Sequence, residues 1–530
     1  MKTSTMFALP ALAGLFLVHC GSVSTGETPK VRPPAVAGSF YPADPAELAK
    51  TVDGFLAKAG QPPLDAVALV APHAGYEFAG QVAAYSYASL KGRKIDRVVL
   101  IAPSHYEAFR FASVYDGSAY TTPLGQVPVD RAFASKLASM SPLIKLSGLG
   151  HTPGPGKMEH SVEVELPLLQ RTLGQFQLVP IVMGDQSYEM CRALGIALAK
   201  LIAGTNTLII ASSDLSHFHT YAEAEKIDHQ TLKAIEDWDY LSMSRNFDQS
   251  IWEACGGGPI IAAMIASERL GASQARVLKY ANSGDVPSGD KSSVVGYGAV
   301  AFLKKAERAA APEAPFSLTR QEKDELMRIA RRSVETSVRD RKEYDPPAPS
   351  SEALNQARGA FVTLKERGAL RGCIGYVAPI KALYLTVSDV ARFAALEDRR
   401  FRPVAAGELG ALEYEISVLS PMRRIMDTKE IVVGQHGLLI RKGGSEGLLL
   451  PQVPVEQKWD RAEFLQEVCL KAGLPQRAWQ DPEADLFRFT ALIFNERNLE
   501  PLTPAEPARQ TPGMPAQPAP GSAPPPPGSF

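Results

Sequence analysis

Cysteine is scarce in this chain, and its spacing excludes two common kinds of small scaffold. Only five cysteines occur in 530 residues, and no two of them form a CxxC pair. A disulfide framework needs closely spaced cysteines and a zinc ribbon needs pairs, so neither is expected. With 45% hydrophobic residues over this length, the chain is too long for one core, and two or more domains are expected.

An excess of charge is also absent, because 56 basic residues stand against 57 acidic ones. This balance does not suggest the basic footprint of a nucleic-acid-binding protein, so no nucleic-acid partner is expected. Histidine, by contrast, is unevenly placed, since seven of the nine lie between residues 73 and 229.

Residues 1–20 predict an export signal. Lys2 is the only charged residue, and the apolar run at 6–18 is too short to span a bilayer as a mature helix. The ending LVHC (17–20) resembles a lipobox in which Cys20 would be lipidated, with His19 where that motif has Gly, Ala or Ser. We therefore expect an exported protein, either membrane-anchored through Cys20 or periplasmic, with residues 21–30 as a tether. The alternatives are an uncleaved anchor or a misassigned start codon on a cytoplasmic protein.

Residues 31–304 predict one α/β domain with a layered sheet, because strand and helix patterns alternate. Continuous Val/Ile/Leu runs are typical of buried parallel strands. The predicted strands are 66–71, 97–102, 177–183, 207–212, 276–281 and 294–303, and the predicted helices are 45–58, 131–139, 189–203, 222–236 and 259–270.

The second unit, residues 316–503, predicts an α+β domain. It follows an Ala/Pro/Glu-rich linker at 305–315 and precedes a Pro-rich tail at 504–530, which we predict to be disordered or polyproline-like. The predicted helices are 319–337 and 460–472, and the predicted strands are 359–364, 373–377, 412–419 and 437–441.

Three strand ends in the first unit are followed by polar residues. APHAGYEFAG (71–80) supplies His73, IAPSHY (101–106) supplies His105, and SSDLSHF (212–218) supplies Asp214 and His217. Ligand sites in open α/β sheets gather at the carboxyl ends of strands, and neutral imidazole suits Fe, Cu, Zn or Ni. The pattern predicts one metal pocket in which Asp214 and His217 serve as orienting carboxylate and acid–base residue, or as a further ligand.

Cys255 is the best candidate for a third donor. It precedes GGGP (256–259), which opens a helix, and a helix N-terminus favours thiolate. EHSVEVELP (159–167) adds Glu159 and His160, which could orient a ligand or shuttle protons if this segment is helical, with Glu163 on the same face as His160. Taken alone, each of these candidate residues has a structural alternative, as a hydrogen-bonded polar side chain or as a helix cap. HTPGPGK (151–157) predicts a mobile rim loop.

The ordered motifs of the first unit resemble one family. VAGSFYPADP, APHAGYEFAG, APSHY, EHSVEVELPLL, SSDLSHF, ACGGGPI and GYGAVAF, taken together, are similar to the Memo family, whose fold is like that of class III extradiol (LigB-type) non-haem iron dioxygenases. The resemblance implies His73, His105 and Cys255 as metal positions, with Asp214 and His217 in the same pocket. Those dioxygenases complete two histidines with a carboxylate, and Cys255 would replace it here in a softer site for Fe(II) or, alternatively, copper.

The second unit looks like the AMMECR domain, on the motifs LRGCIGY (370–376), GLLIRKGGSEGLLLPQVPVEQKWD (437–460) and EFLQEVCLKAGLP (463–475). Family members carry Asp-Pro-Arg-Phe where this chain has DRRF (398–401). Arg371 and Cys373 are candidates for binding or reaction, and a packed small side chain is the alternative for Cys373. Memo-type and AMMECR-type proteins are associated with a radical-SAM protein in the arrangement called AmmeMemoRadiSam. The resemblance therefore implies such a partner, since this chain has no CxxxCxxC cluster motif.

Three functions remain open from the sequence. The favoured one is a metal-dependent oxidoreductase related to extradiol dioxygenases, acting on an unknown small-molecule or peptide substrate. The second is a non-enzymatic peptide- or protein-binding module with a vestigial metal site. The third is a zinc or iron hydrolase with Glu159 or His217 as base.

Overall fold

The computed structural model describes residues 30–304 and 316–496. The predicted leader with Cys20, nearly all of the tether, the linker at 305–315 and the Pro-rich tail lie outside the described residues. Within the two described ranges, every helix is too short or too polar to cross a membrane.

The first domain is built on a nine-stranded mixed sheet. The strands of this domain are β1 (Val31–Arg32), β2 (Ala66–Ala71), β3 (Arg97–Pro103), β4 (Ala112–Tyr115), β5 (Ala119–Thr122), β6 (Gly125–Pro128), β7 (Ile144–Ser147), β8 (Gln177–Met183), β9 (Thr207–Ser212), β10 (His217–His219), β11 (Ala272–Asn282) and β12 (Val294–Lys304). Strands β1, β5 and β6 form a separate three-stranded sheet, and the other nine form the main sheet. Four central strands of the main sheet run parallel in the order β2-β9-β3-β8, and β12 and β4 flank them in antiparallel orientation.

Helices cover both faces of this sheet because each central strand is apolar on both sides. The helices are α1 (Pro45–Ala59), α2 (Gly80–Ala88), α3 (Arg131–Ala138), α4 (Leu166–Leu173), α5 (Tyr188–Ile202), α6 (Tyr221–Glu236), α7 (Tyr240–Asp248) and α8 (Gly257–Arg269). In β2, Leu69 belongs to the core beneath α1, α2 and α4, while its neighbour Val70 belongs to the core beneath α5 and α8.

Local sequence fixes the helix ends. Asp44 caps α1 by accepting the N–H groups of Ala46 and Glu47, Pro45 occupies its first turn, and Gly60 ends it with φ 56°. All predicted strands and helices of this domain occur, with ends within four residues of those predicted. Helices α2, α4 and α7 were not predicted. Helix α2 is buried almost all round and so lacks an amphipathic period.

The second domain is α+β, as predicted, with two antiparallel four-stranded sheets ordered β14-β13-β15-β20 and β16-β19-β17-β18. Its strands are β13 (Ala360–Glu366), β14 (Ala369–Tyr376), β15 (Leu412–Leu419), β16 (Arg423–Arg424), β17 (Gly437–Lys442), β18 (Ser445–Leu449), β19 (Asp485–Phe489) and β20 (Ala491–Asn495). Its helices are α9 (Arg320–Asp340), α10 (Glu352–Asn355), α11 (Leu383–Leu396), α12 (Gln452–Glu456) and α13 (Arg461–Lys471).

The two domains share a packed boundary. Phe487 of β19 meets Tyr240 of α7 with ring centroids 6.1 Å apart, and Phe487 belongs to the same apolar core as α5 and α8. Beside it, buried Asp485 accepts hydrogen bonds from Arg192 of α5 and Arg424 of β16. A charged pair held inside an apolar contact fixes the relative position of the surfaces that form it.

Two expectations about the first domain need correction. His151 is fully buried and bonds Tyr120 Oη and Ser113 O through its two ring nitrogens, so the first residue of the predicted rim loop belongs to the core. Residues 152–157 form an irregular, mostly exposed segment, and its mobility stays a prediction. Residues 159–162 are not helical, and Glu163 begins a short 3₁₀ turn where it pairs with buried Arg32. Glu163 therefore belongs to a structural ion pair and does not share a helix face with His160.

Candidate metal centre

Three neighbouring parallel strands end at one edge of the central sheet. His73 follows β2, His105 follows β3 and Asp214 follows β9, and these strands are adjacent in the order β2-β9-β3. The carboxyl ends of parallel strands share one edge, so side chains leaving them meet there. The ring centroids of His73 and His105 are 5.2 Å apart.

His73 is buried, and its ring orientation is set by Ser212. Nδ1 of His73 lies 2.7 Å from Ser212 Oγ. The Ser212 hydroxyl has acceptors of its own at Ser161 O, 2.7 Å away, and Glu165 Oε1, 2.9 Å away. Ser212 therefore accepts the Nδ1–H of His73, and the free lone pair on His73 stands at Nε2, 3.3 Å from Cys255 Sγ.

Glu159 sets the ring orientation of His105, as Ser212 does for His73. Its Oε1 accepts Nδ1–H of His105 at 3.0 Å, and its Oε2 accepts the His105 backbone N–H at 2.6 Å. Burial alone would raise the Glu159 pKa, but the hydrogen bonds and charge of His105 outweigh it and lower that pKa to about 2. An anionic carboxylate behind an imidazole orients the ring and leaves Nε2 as the free donor.

His160 completes a set of three imidazoles. Its ring stacks on His105 at 4.9 Å and 12°, and its Nδ1 lies 3.2 Å from Met158 O. One ring nitrogen from each of His73, His105 and His160 falls within 4.8 Å of the others. Burial and neighbouring imidazoles lower the pKa of His73 and of His160, so both are neutral, as ligands must be. The sequence suggested His160 as an acid–base residue, and the geometry makes it a candidate ligand as well.

Cys255 belongs to a second group, with His73 and Asp214, whose donor atoms also lie within 4.8 Å of one another. Two ligands of one ion at metal–N and metal–S bonds of about 2.1 and 2.3 Å lie about 3.5 Å apart in tetrahedral geometry. The 3.3 Å between His73 Nε2 and Cys255 Sγ fits that spacing. His73 is the residue common to both groups, whereas His105 and Cys255 do not share one. A single ion bound by both His105 and Cys255 therefore requires their donor atoms to come closer together than they lie here.

The protonation of Cys255 differs from the expectation. Helix α8 begins two residues after Cys255, at Gly257, yet burial and the Asp214 charge raise the pKa of the Cys255 thiol instead of lowering it. Desolvation of the thiolate outweighs the helix end. Cys255 is therefore a thiol in the metal-free pocket, and a cation is what would make it thiolate.

Asp214 and His217 lie at the border of this donor set. Asp214 Oδ1 accepts the N–H groups of His73, at 2.9 Å, and Ala74, while Oδ2 lies 4.0 Å from His73 Nε2. Burial raises the Asp214 pKa to about 7. His217 opens β10, half-buried, and its charge contributes to lowering the pKa of His73.

Sequence reasoning missed the groups behind His73. Glu165 is fully buried, accepts Tyr87 Oη–H at 2.6 Å and contacts Ser212. Burial raises its pKa to about 8, against the effect of those hydrogen bonds. A carboxyl residue inside the apolar run VEVELPLL was the available signal, since such groups are buried only with partners.

The candidate residues of the second domain, Cys373 and Arg371, have different neighbours from those of the first domain. Cys373 of β14 donates its backbone N–H to Asp398, and Asp398 also accepts a hydrogen bond from Arg400. The Thr363 hydroxyl donates to the Sγ atom of Cys373 at 3.2 Å. Arg371 is paired with Glu408 at 2.8 Å. Both metal-type groups found among the described residues lie in the first domain.

Comparison with known proteins decides the family. The family model described as Memo-like protein matches residues 32–301, which is 270 of the 530 residues. The chain belongs to the Memo family. The AMMECR1 model matches residues 327–494, so the Memo domain is fused to an AMMECR domain.

Known proteins match parts of this chain over most of their own length. A MEMO1 family protein of Methanopyrus kandleri, MK0963, is 37% identical over 286 residues, covering 52% of this chain and 99% of the relative. Protein TK0174 of Thermococcus kodakarensis is 46% identical over 181 residues, covering 32% of this chain and 88% of the relative. The crystal structure of uncharacterized protein PH0010 from Pyrococcus horikoshii matches 35% of this chain and all of that one, at 40% identity and a TM-score of 0.34.

Proposed function

We propose that the Memo domain is a metal-dependent oxidoreductase that holds Fe(II), or alternatively copper, through His73, His105 and Cys255, with His160 as a further ligand. The observation that carries the proposal is the fixed orientation of the imidazoles. Each Nδ1 is engaged by Ser212, Glu159 or Met158, which leaves three Nε2 atoms for one cation. Hydrogen bonds of this kind behind ligating histidines are general in metal sites.

A bound iron or copper ion would supply one-electron chemistry, and the protein's own groups would prepare it. Glu159 and Ser212 hold the rings of His105 and His73, and burial keeps His73 neutral. Asp214, beside Cys255, is placed to accept or return a proton of the thiol or of a substrate. The softer thiolate in place of a carboxylate favours redox cycling over ring cleavage.

Metal content tests the binding step. Full-length protein purified without oxygen is expected to carry close to one equivalent of iron or copper, and the His73→Ala/His105→Ala variant is expected to carry almost none. His229→Ala is the matched control, because His229 lies on α6 with its ring against Tyr280 and belongs to neither donor group. Equal metal in wild type and double variant would end the proposal.

A metal-dependent hydrolase is the second candidate, and Asp214 is the observation that favours it. Its carboxylate borders the donor set and has a pKa raised by burial to about 7, which suits a general base at neutral pH. Glu159 is unsuited to that role, since His105 holds its pKa near 2. Zinc-loaded protein that cleaves esters or amides, with Asp214→Asn keeping zinc and losing hydrolysis, would select this candidate.

The proposal extends to a radical-SAM partner and to an exported protein, both supported by sequence alone. Co-purification with a radical-SAM protein from the native organism tests the first. Labelling of Cys20 by a lipid precursor, lost in Cys20→Ala, tests the lipid anchor.

A further inference from the structure

Helix α8 begins in a turn that has no side chain of its own to cap it. Cys255 is followed there by Gly256, Gly257 and Gly258, and Gly256 stands at the cap position without a side-chain hydrogen bond. Glycine leaves the backbone freer than any other residue does, and the first N–H groups of a helix have no partner inside it. The segment that carries the proposed sulfur ligand therefore depends on neighbouring elements for its shape.

Gln186, two residues before α5, meets this turn with both ends of its side-chain amide. Its Nε2 donates to Cys255 O at 2.8 Å, and its Oε1 accepts the Gly258 N–H at 2.6 Å. One backbone group needs a donor and the other needs an acceptor, and a carboxamide is a neutral side chain that offers both. Gln186 thus caps α8 from another element and fixes the peptide group that follows Cys255.

Two glycines allow α5 and α8 to approach this closely. A Cβ on Gly258 would lie 2.7 Å from Gln186 Cβ, which is closer than two carbon atoms pack. Further along the same pair of helices, a Cβ on Gly195 would lie 2.8 Å from Ala262 O. Gln186 is therefore held against the Cys255 turn by the packing of the two elements as well as by its hydrogen bonds.

Ser213 and Asp214, which follow β9, hold the other side of the turn. Ser213 Oγ accepts the Gly256 N–H at 2.9 Å, and the Cys255 N–H donates to Asp214 O at 3.2 Å. The Cys255 Sγ lies on this side, 3.3 Å from His73 Nε2. Cys255 is therefore held between the end of β9 and Gln186, and the loss of either support frees the sulfur to move relative to His73.

The backbone of Gln186 is itself anchored. Ser187, the next residue, caps α5 by accepting the Met190 N–H. Tyr188, in the first turn of α5, is buried and donates a hydrogen bond to Asp485 of the AMMECR domain at 3.2 Å. A side chain that orients a ligand must have its own position fixed in this way.

We propose that Gln186 is a positioning residue for Cys255, and that it sets the distance from the sulfur to the His73 imidazole. This inference rests on the metal centre proposed above. Gln186 acts through main-chain atoms of the turn, since its two hydrogen bonds go to Cys255 O and to the Gly258 N–H. A sulfur held in place before the metal arrives needs no rearrangement of the turn when it binds.

Gln186→Met tests this role, because methionine is similar in length and lacks the amide. Gln170→Met is the matched control. Gln170 also donates to a main-chain carbonyl, Gly125 O at 3.2 Å, and accepts from a neighbour, the Thr122 hydroxyl at 2.7 Å. It lies on α4 and outside both donor groups. Thermal unfolding of the full chain shows that each variant is folded.

The first readout needs no metal. Metal-free protein is treated with iodoacetamide, and the peptide that contains Cys255 is followed by mass spectrometry. We expect alkylation about tenfold faster in Gln186→Met than in wild type, because two hydrogen bonds no longer hold the turn closed. Gln170→Met should match wild type, and Cys373 in the same samples should keep its wild-type rate in both variants.

The second readout uses Co²⁺ as the probe, since it accepts nitrogen and sulfur ligands. We expect a thiolate-to-cobalt charge-transfer band in wild type and in Gln170→Met. Gln186→Met is expected to weaken or shift this band and to raise the Co²⁺ dissociation constant about tenfold.

Gln186→Glu provides a second variant in case Gln186→Met does not fold. It keeps the acceptor for the Gly258 N–H and loses the donor to Cys255 O. It is therefore expected to change the alkylation rate of Cys255 and the band in the same direction as Gln186→Met.

Two outcomes would overturn the inference while the metal centre stands. One is an unchanged alkylation rate and an unchanged band in the Gln186 variants. The other is faster alkylation with the band and the Co²⁺ affinity unchanged, because Gln186 would then support the fold and not the ligand. Wild type without a thiolate-to-cobalt band would instead contradict the proposed metal centre, and the inference with it.

Discussion

Cys255 of the Memo domain and Cys373 of the AMMECR domain look alike in the sequence and differ in the structure. Each stands next to glycine, is largely buried and has a thiol pKa raised by burial. Around Cys255 lie His73 and Asp214, whereas Cys373 lies among Thr363, Asp398 and Arg400. The neighbours decide what a cysteine can do, and only the first set includes imidazole.

The largest effect on stability is expected at the boundary between the Memo and AMMECR domains. Asp485 pairs with Arg192, Arg269 and Arg424, so Asp485→Ala removes the buried counter-charge that these three guanidinium groups share. We expect a loss of about 3–5 kcal/mol in unfolding free energy and separate unfolding transitions for the two domains. Calorimetry of the full chain measures both.

Glu483→Gln is the control for this prediction. Glu483 also pairs with Arg192, but its side chain is 73% exposed, so we expect a change within about 0.5 kcal/mol. Equal small effects from both substitutions would mean that the boundary does not couple the domains.

The glycines beside the two cysteines sharpen the comparison. A Cβ on Gly256 would lie 2.3 Å from Ser212 O, and one on Gly372 would lie 2.1 Å from Ala394 O. Each alanine substitution is expected to cost about 1–3 kcal/mol of stability. Only Gly256→Ala should also reduce bound metal, because only Cys255 is placed to bind it.

Gly54→Ala is the control here, since nothing lies within 4 Å of its added Cβ and Gly54 sits inside α1. It should stabilise the chain by roughly 0.5–1 kcal/mol. Loss of bound metal in Gly372→Ala as well would contradict the prediction that Cys255, and not Cys373, binds the metal.

Two orienting carboxylates give the next test. Glu159 holds His105, and Glu408 holds Arg371. Glu159→Gln should lower metal affinity about 10- to 100-fold because the His105 ring loses its charged acceptor. Glu408→Gln should leave metal affinity unchanged, and titration with a competing chelator measures both. A Glu159→Gln affinity equal to that of wild type would contradict the role given to Glu159.

The two domains are expected to differ in the sign of their pH dependence. Glu165 of the Memo domain has its pKa raised from 4.5 to about 8, so its stabilising contribution is complete below pH 4.5 and is lost as pH rises to 8. Asp398 of the AMMECR domain has its pKa lowered from 3.8 to about 2, so its contribution is present above pH 3.8 and is lost as pH falls to 2.

Denaturation at several pH values checks this difference. Relative to Glu165→Gln, wild type should lose up to about 1.4 kcal/mol per pH unit within the first window, and relative to Asp398→Asn it should lose stability only in the second, acidic window. Parallel pH curves for wild type and Glu165→Gln would mean that Glu165 is ionised in the fold.

The sequence predicted the sheet of the Memo domain because its buried strands are continuous apolar runs, and it predicted the edge at which His73, His105 and Asp214 meet. It could not predict that the helical turns begin only at Glu163, since all of EHSVEVELP also fits a helix. The sequence could not predict that Cys255 is protonated, because the pKa of its thiol depends on burial by residues distant in the chain. The boundary with Asp485 joins positions nearly 300 residues apart, which no local pattern encodes.

The absorption spectrum of iron- or copper-loaded protein tests the central claim most directly. We expect a thiolate-to-metal charge-transfer band in wild type and in Cys373→Ser, and its loss in Cys255→Ser with metal still bound to the histidines. An identical band in Cys255→Ser, or no such band in metal-loaded wild type, would contradict a metal centre that uses Cys255.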